Sequence, residues 1–216
     1  MRTETLPRFY PIPRFYPILD AELLSARGIS IADFAQQMRD AEVALLQYRD
    51  KQSEPQQILQ HAEIIQKIFS GTECKLILND RPDLAVLAGW HGVHVGQQDI
   101  SPAGARSVIG PDMLLGVSTH NDAQVCAADT SEADYIAIGP VFATSSKENP
   151  DPMVGLEGVR RARALTKKPL VAIGGITRQN ARSVLDAGAD SVAVISELLG
   201  DEGPEKNARD FLALLR

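Results

Sequence analysis

The chain is poor in cysteine, in aromatic residues and in positive charge. Its 216 residues include two cysteines, Cys74 and Cys126, one tryptophan and 5% aromatics. Two cysteines cannot build a disulfide framework. Both stand in apolar stretches, so they are expected to be small buried hydrophobes in a reducing compartment. No apolar run approaches the roughly 18 residues that a membrane helix requires. Met1-Arg2-Thr3-Glu4-Thr5 leads into prolines rather than into the apolar stretch of a signal peptide. The expectation is a cytoplasmic protein with no membrane partner. Lys and Arg number 22 against 28 Asp and Glu, a net charge of −6, which argues against nucleic acid as a partner. An anionic small molecule would have to be held by a local cluster of cations set against that field. What is present is ordinary for a globular domain: 44% hydrophobic and 23% charged residues. A chain of this length buries roughly 70% of its unfolded surface, enough for a core without staples.

Short runs of Val, Ile and Leu alternate with helical patterns almost from end to end. Candidate strands are Arg14–Leu19, Ala44–Arg49, Lys75–Asn79, Gly92–Val95, Leu114–Ser118, Asp134–Ile138, Pro169–Ile173 and Ser191–Ile195. They lack clean polar alternation, as strands covered on both faces do. Helix starts are legible between them. Ser53-Glu54-Pro55-Gln56 reads as a capping box, followed by Ile58, Ala62, Ile65 and Phe69 on one face. Ser101-Pro102 opens a second helix, Thr177 precedes a third, and the last, near Pro204, carries Ala208, Phe211, Leu212 and Leu215. Strict alternation of β and α implies a parallel sheet. Eight units of about 27 residues favour a closed (β/α)8 TIM barrel, a single compact α/β domain over 14–216 with an extension at 1–13. An open doubly wound sheet is the alternative, but its usual G-x-G-x-x-G turn is missing. Ala133-Asp134 and Ala189-Asp190 open similar segments 56 residues apart, an echo of two units. The hexapeptide PRFYPI occurs twice, at Pro7–Ile12 and Pro13–Ile18. The first copy is expected on the surface or at a subunit contact. Pro17 is unexpected inside a strand, because a central strand cannot spare the amide.

Barrels of this type carry their chemistry where the strands end, and polar groups follow nearly every candidate strand. Gly174-Gly175 lets bare amides approach an anion, with Thr177 at a helix start beyond it; a plain glycine turn is the alternative. Arg49, Lys51 and Lys147 form a candidate second anion site, and Gln47 points the same way as Arg49. The competing reading is a solvated surface with Asp50 paired to Lys51. Asp80 and Asp99, beside a diphosphate, would suit Mg²⁺, although Asp80 could cap the helix at Arg81-Pro82 and Asp99 could serve the Ser101-Pro102 turn. His91 and His94, three apart on a strand, face opposite sides, which argues against zinc. His94 would line the site and His91 would be exposed. His120 is either a proton donor or a surface residue, and His61 reads as helix surface. Trp90 and the tyrosines are expected to pack.

At this point the motifs resemble the thiamine-phosphate synthase (thiamine-phosphate pyrophosphorylase) family. They are Q-x-R-x-K at Gln47–Lys51, N-D-R at Asn79–Arg81, G-V-H-V-G-Q-x-D at Gly92–Asp99, G-V-S at Gly116–Ser118, G-P-V-F-x-T-x-S-K at Gly139–Lys147, I-G-G-I-T at Ile173–Thr177 and V-I-S at Val194–Ser196. The resemblance runs from about residue 14 to 215. It implies a transferase of thiamine biosynthesis that joins a hydroxymethylpyrimidine diphosphate to a thiazole phosphate and releases pyrophosphate. It implies Mg²⁺ on Asp80 and Asp99. Arg49, Lys51, Asn79 and Lys147 would hold the diphosphate. Gln47 and Ser118 would meet the pyrimidine or the leaving oxygen. Thr144, Ser146, Gly175, Ile195 and Ser196 would hold the thiazole phosphate. Arg49, Ser118 and Lys147 would be catalytic. A thiazole tautomerase on the same barrel, using His120, is the nearest alternative; it resembles the Val141–Lys147 loop but needs neither the diphosphate grip nor the metal pair. A non-catalytic phosphate-binding barrel keeping only Gly174-Gly175 and Ser196 is the third. All three readings require small-molecule ligands, and the sequence is compatible with a homo-oligomer.

Overall fold

Strands rich in Val, Ile and Leu need cover on both faces, and closing eight of them into a ring supplies it. In the computed structural model, which describes residues 11–144 and 152–216, the chain runs β1 (Phe15–Asp20), α1 (Ala21–Ala26), α2 (Ile31–Asp40), β2 (Leu45–Arg49), α3 (Pro55–Ile68), β3 (Lys75–Asn79), α4 (Pro82–Leu87), β4 (Gly92–Val95), α5 (Pro102–Ile109), β5 (Leu114–Thr119), α6 (Asp122–Thr130), β6 (Tyr135–Ile138), α7 (Gly155–Leu165), β7 (Leu170–Ile173), α8 (Ala181–Asp186), β8 (Ser191–Val194) and α9 (Pro204–Leu214). The strands pair in parallel and in sequence order, and β1 closes onto β8. This is the (β/α)8 barrel expected, a single compact domain, and every strand falls within one residue of its expected ends. A second helix after β1 and a 3₁₀ turn at Ser196–Leu199 are additions. Among the described residues no helix is long and apolar enough to cross a membrane.

The period of two along each strand divides the core. Phe15, Leu46, Tyr48, Leu76, Leu78, Val93, Leu115, Ile136 and Val192 share one buried cluster with helix residues such as Phe34, Met38, Ile58 and Ala62. That cluster is the layer between barrel and helices. Alternate residues, among them Tyr16, Ile18, Leu45, Ile77, Leu114, Tyr135, Val171 and Ala193, form a second cluster filling the barrel, together with Ile12. Ring stacking of Phe15 on Phe211 (5.1 Å between centroids) seats α9 over β1, a contact of about 1 kcal/mol beyond burial. Pro17 sits where β1 changes partners: Phe15–Pro17 align with β8, and Ile18–Asp20 with β2.

The 56-residue echo has a structural cause. Asp134 Oδ2 accepts the Leu115 amide (2.8 Å) and pairs with Arg106 (2.7 Å). Asp190 repeats this with the Leu170 amide (2.8 Å) and Arg163 (2.8 Å). Each carboxylate thus holds the start of the preceding strand and ties it to the helix before that strand.

Several local expectations are corrected. The Ser53 capping box does not form: α3 has Glu54 as its N-cap without a side-chain bond, because Asp50 has taken the Ser53 amide. Ser101 does cap α5, accepting from the Gly104 amide. Cys74 is buried but Cys126 is exposed on α6, and burial pushes the Cys74 thiol up to about 12. The first PRFYPI copy, apart from Pro11 and Ile12, lies outside the described residues.

Candidate active site at the barrel mouth

The same alternation that points Leu45 inward points Gln47 and Arg49 inward one and two steps nearer the mouth. By that parity Asp20, Asn79, His94, Ser118 and Ile195 also face the interior, near the strand ends where the resemblance needs them. Arg49 is not a loose rim charge. Its Nη1 lies 2.5 Å from Asp20 Oδ2, and Asp20 is 6% exposed. Asp20, which also accepts the Leu23 amide at the start of α1, was not singled out by sequence. It stands at the end of the one strand for which no polar group was noted, so position was the signal that could have found it.

Lys51 pairs with Asp80 Oδ2 at 2.8 Å, not with Asp50. Asp80 does not cap α4, whose N-cap is Arg81. Instead its backbone takes φ +63°, a left-handed conformation uncommon for a non-glycine residue, and its amide donates to the His94 carbonyl (2.7 Å). The strained turn directs its carboxylate to Lys51 and Asp99. Burial raises the Asp80 pKa, a hydrogen bond with Asp99 raises it further, and Lys51 opposes both. Asp99 Oδ2 accepts the Gly96 amide (2.8 Å) rather than serving the Ser101 turn. Two carboxylates within hydrogen-bonding reach, beside a lysine, form a hard oxygen donor set of the kind Mg²⁺ takes along with phosphate oxygens and waters. Among the described residues no group of three metal-ligating side chains forms, so an ion here would need oxygens from substrate or water.

Asp50 shapes the loop that carries Lys51. It accepts from the Tyr48 hydroxyl (2.7 Å) and from the Gln52 and Ser53 amides, and Tyr48 also meets His61 Nδ1 (2.7 Å). His61 is therefore half-buried and engaged, not helix surface. Burial alone would raise the Asp50 pKa, but the donors from Ser53, Tyr48 and Gln52 hold it below the usual carboxylate range. A depressed pKa means stability present above the unfolded value, about 3.9, and lost as pH falls through the lower folded value. Asp50→Asn should cost about 1–2 kcal/mol at pH 7. The gap in Tm from the parent should close below about pH 4; an equal gap at pH 7 and pH 3 would refute the assignment.

Two of the tyrosines expected only to pack do more. Tyr16 and Tyr135 join hydroxyls at 3.0 Å inside the barrel, Gln47 Nε2 reaches Tyr16 (3.0 Å), and Tyr135 reaches His94 Nδ1 (3.1 Å). His94 Nε2 then meets Ser118 Oγ at 2.8 Å. His91 is exposed, as expected, and its Nδ1 accepts the Leu76 amide. Trp90 is buried packing against Tyr48.

Beyond β7 the backbone turns through Gly174 (φ +102°) and Gly175 (φ +62°). A Cβ on Gly175 would stand 2.3 Å from the Ala143 carbonyl oxygen, so this turn and the β6 loop pass in close contact. Thr177 does not open the helix; α8 starts at Ala181. The Thr177 amide donates to Asn180 Oδ1 (2.8 Å), and Asn180 Nδ2 donates to the Gly175 carbonyl (3.0 Å). Ser196 is exposed at the start of the 3₁₀ turn, with Ile195 half-buried before it. Thr144 is half-buried at the end of the described β6 loop; Ser146 and Lys147 lie outside the described residues. His120 is half-buried, with Nδ1 2.6 Å from the Gly139 carbonyl.

A family model described as thiamine monophosphate synthase matches residues 15–198. A thiamine-phosphate synthase from Koribacter versatilis is 54% identical over 212 residues, 97% of this chain and 96% of its own. Another, from Caldicellulosiruptor bescii, is 35% identical over 191 residues, 88% and 87% of the two chains. The solved thiamine phosphate pyrophosphorylase of Pyrococcus furiosus superposes with a TM-score of 0.83 at 27% identity, covering 94% of this chain and 95% of that one. A 3-hexulose-6-phosphate synthase superposes at 0.67 with 15% identity, over 94% of this chain and all of its own, and shares the fold alone.

Proposed function

Because this chain belongs to the thiamine monophosphate synthase family, a family of transferases acting on small molecules, we propose that its barrel mouth joins an aminopyrimidine diphosphate to a thiazole phosphate. The observation that supports this reading is the placing of two ion-pair sets at the ends of neighbouring strands, Arg49 with Asp20 and Lys51 with Asp80, whose carboxylate also meets Asp99. A tautomerase or a simple phosphate binder has no use for both.

The bond that breaks joins the pyrimidine methylene carbon to the diphosphate oxygen, and its electron pair leaves with pyrophosphate. The thiazole nitrogen then donates its lone pair to that carbon. The aminopyrimidine ring stabilises the cation between the two events, so no strong general base is required. Arg49, Lys51, Asn79 and Lys147 hold the diphosphate and offset the charge that grows on it. Ser118 donates its hydroxyl proton to the pyrimidine or the leaving oxygen, and Gln47 contacts the ring. Thr144, Ser146, Gly175, Ile195 and Ser196 hold the thiazole phosphate. Asp80 and Asp99 would hold Mg²⁺, which when bound supplies Lewis-acid neutralisation of the pyrophosphate oxygens.

Pyrophosphate release from the two substrates tests the reading. Release should require both substrates, should stop when divalent ions are chelated, and should return with Mg²⁺. Release indifferent to chelation, or thiazole isomerisation without release that is lost in His120→Ala, would overturn it.

A further inference from the structure

Gln47, Tyr16, Tyr135, His94 and Ser118, from five different strands, form one unbroken line of hydrogen bonds through the barrel interior. Each hydroxyl has a single proton to give, so a line in which every proton is passed along runs in one of two senses. The nitrogen of the Gln47 amide, not its oxygen, lies against Tyr16. When every proton is passed on from that end, Gln47 donates to Tyr16, Tyr16 to Tyr135, and Tyr135 to a bare His94 Nδ1. His94 then carries its proton on Nε2 and donates to Ser118 Oγ. Ser118 is left with a proton to give outward, and Gln47 with an amide oxygen that the line does not use.

We propose that Tyr16, Tyr135 and His94 are positioning residues that set the polarity of the pyrimidine pocket, leaving Gln47 as its acceptor and Ser118 as its donor. The assignment rests on the pyrimidine diphosphate reading above. A 4-aminopyrimidine presents amine protons and an unprotonated ring nitrogen, which matches one acceptor and one donor at the two ends of the line. The 4-oxo analogue presents an acceptor oxygen beside a ring N–H, the reverse pattern. A line fixed in one sense therefore selects the amine.

Two further observations fit. Burial raises the pKa of both phenols, so each keeps the proton it must pass on. Gly116 is required by the line's bulk: a Cβ there would stand 2.1 Å from Tyr135 Cζ and 2.4 Å from His94 Nδ1. The strand gives up a side chain where the tyrosine and histidine meet.

The test is binding rather than turnover, since the oxo analogue would react poorly for electronic reasons alone. The parent, Tyr135→Phe and Tyr16→Phe are titrated calorimetrically with the aminopyrimidine diphosphate and with its 4-oxo analogue, without thiazole phosphate. In both variants the amino-to-oxo affinity ratio should fall about tenfold, the effect of one hydrogen bond. An unchanged ratio in folded variants overturns the proposal. If the variants do not fold, the ¹⁵N shifts of His94 in the parent decide: a proton on Nε2 is expected, and a proton on Nδ1 overturns it. A parent that binds neither pyrimidine would instead sink the functional reading, while the histidine tautomer would still report on the line itself.

Discussion

Arg49→Ala is expected to lower kcat/KM for pyrophosphate release by about a thousandfold, the scale for losing a preorganised donor at developing negative charge. From sequence alone the fold would be expected to ignore this change, because a rim charge contributes little to packing. The geometry says otherwise. Asp20 is 6% exposed and Arg49 lies 2.5 Å from it, so alanine leaves a nearly buried carboxylate with, among the described residues, the Leu23 amide as its remaining donor. Breaking a buried pair from one side costs about 3–5 kcal/mol; with Arg49 partly solvated, about 2 kcal/mol is expected. The two losses separate in the double variant Asp20→Asn/Arg49→Ala. Removing the stranded charge should restore most of the Tm and none of the turnover. Recovery of turnover with Tm would mean that the arginine serves the fold alone.

Gly175→Ala is the second large effect. Alanine must adopt φ +62° and place its Cβ 2.3 Å from the Ala143 carbonyl oxygen and 2.8 Å from Phe142 Cβ. The left-handed backbone by itself costs about 1–2 kcal/mol. The carbonyl is main chain and cannot rotate aside, so the β6 loop leading to Thr144 must move. KM for thiazole phosphate should rise more than tenfold while affinity for the pyrimidine diphosphate changes little. Gly28→Ala is the control: its φ is +65°, but a Cβ there meets nothing within 4 Å. It should lower Tm and leave both substrates unaffected. Equal effects of Gly28→Ala and Gly175→Ala on KM would show that backbone strain, not loop displacement, is responsible.

What could be read from sequence is what local rules govern. Eight buried strands, their order, their parallel closure and the inward parity of Gln47 with Arg49 all follow from hydrophobic runs, β–α alternation and a side-chain period of two. The family motifs rest on the same local spacing, and the match over residues 15–198 agrees with it. The choice of partner at each charge was not legible. Asp50 next to Lys51 reads as an ion pair, yet Asp50 is drawn to two loop amides and Tyr48, and Lys51 crosses to Asp80 on the next strand. The competing reading of Asp80 as a cap before Arg81-Pro82 also fails, because its left-handed backbone turns the carboxylate toward Lys51 and Asp99.

Sequence alone therefore determined the barrel, its strand order and the inward parity of residues such as Gln47 and Arg49, because each depends on residues a few positions apart. Tertiary closure decided that Asp20 holds Arg49, that Lys51 bridges to the acid pair, and that Tyr16, Tyr135 and His94 link Gln47 to Ser118. Those partners are separated by 24 to 119 positions in the chain; pairing of neighbouring strands brings Asp20 to Arg49 and His94 to Ser118, and curling the sheet into a barrel brings Tyr16 and Tyr135 to the 3.0 Å of a hydrogen bond.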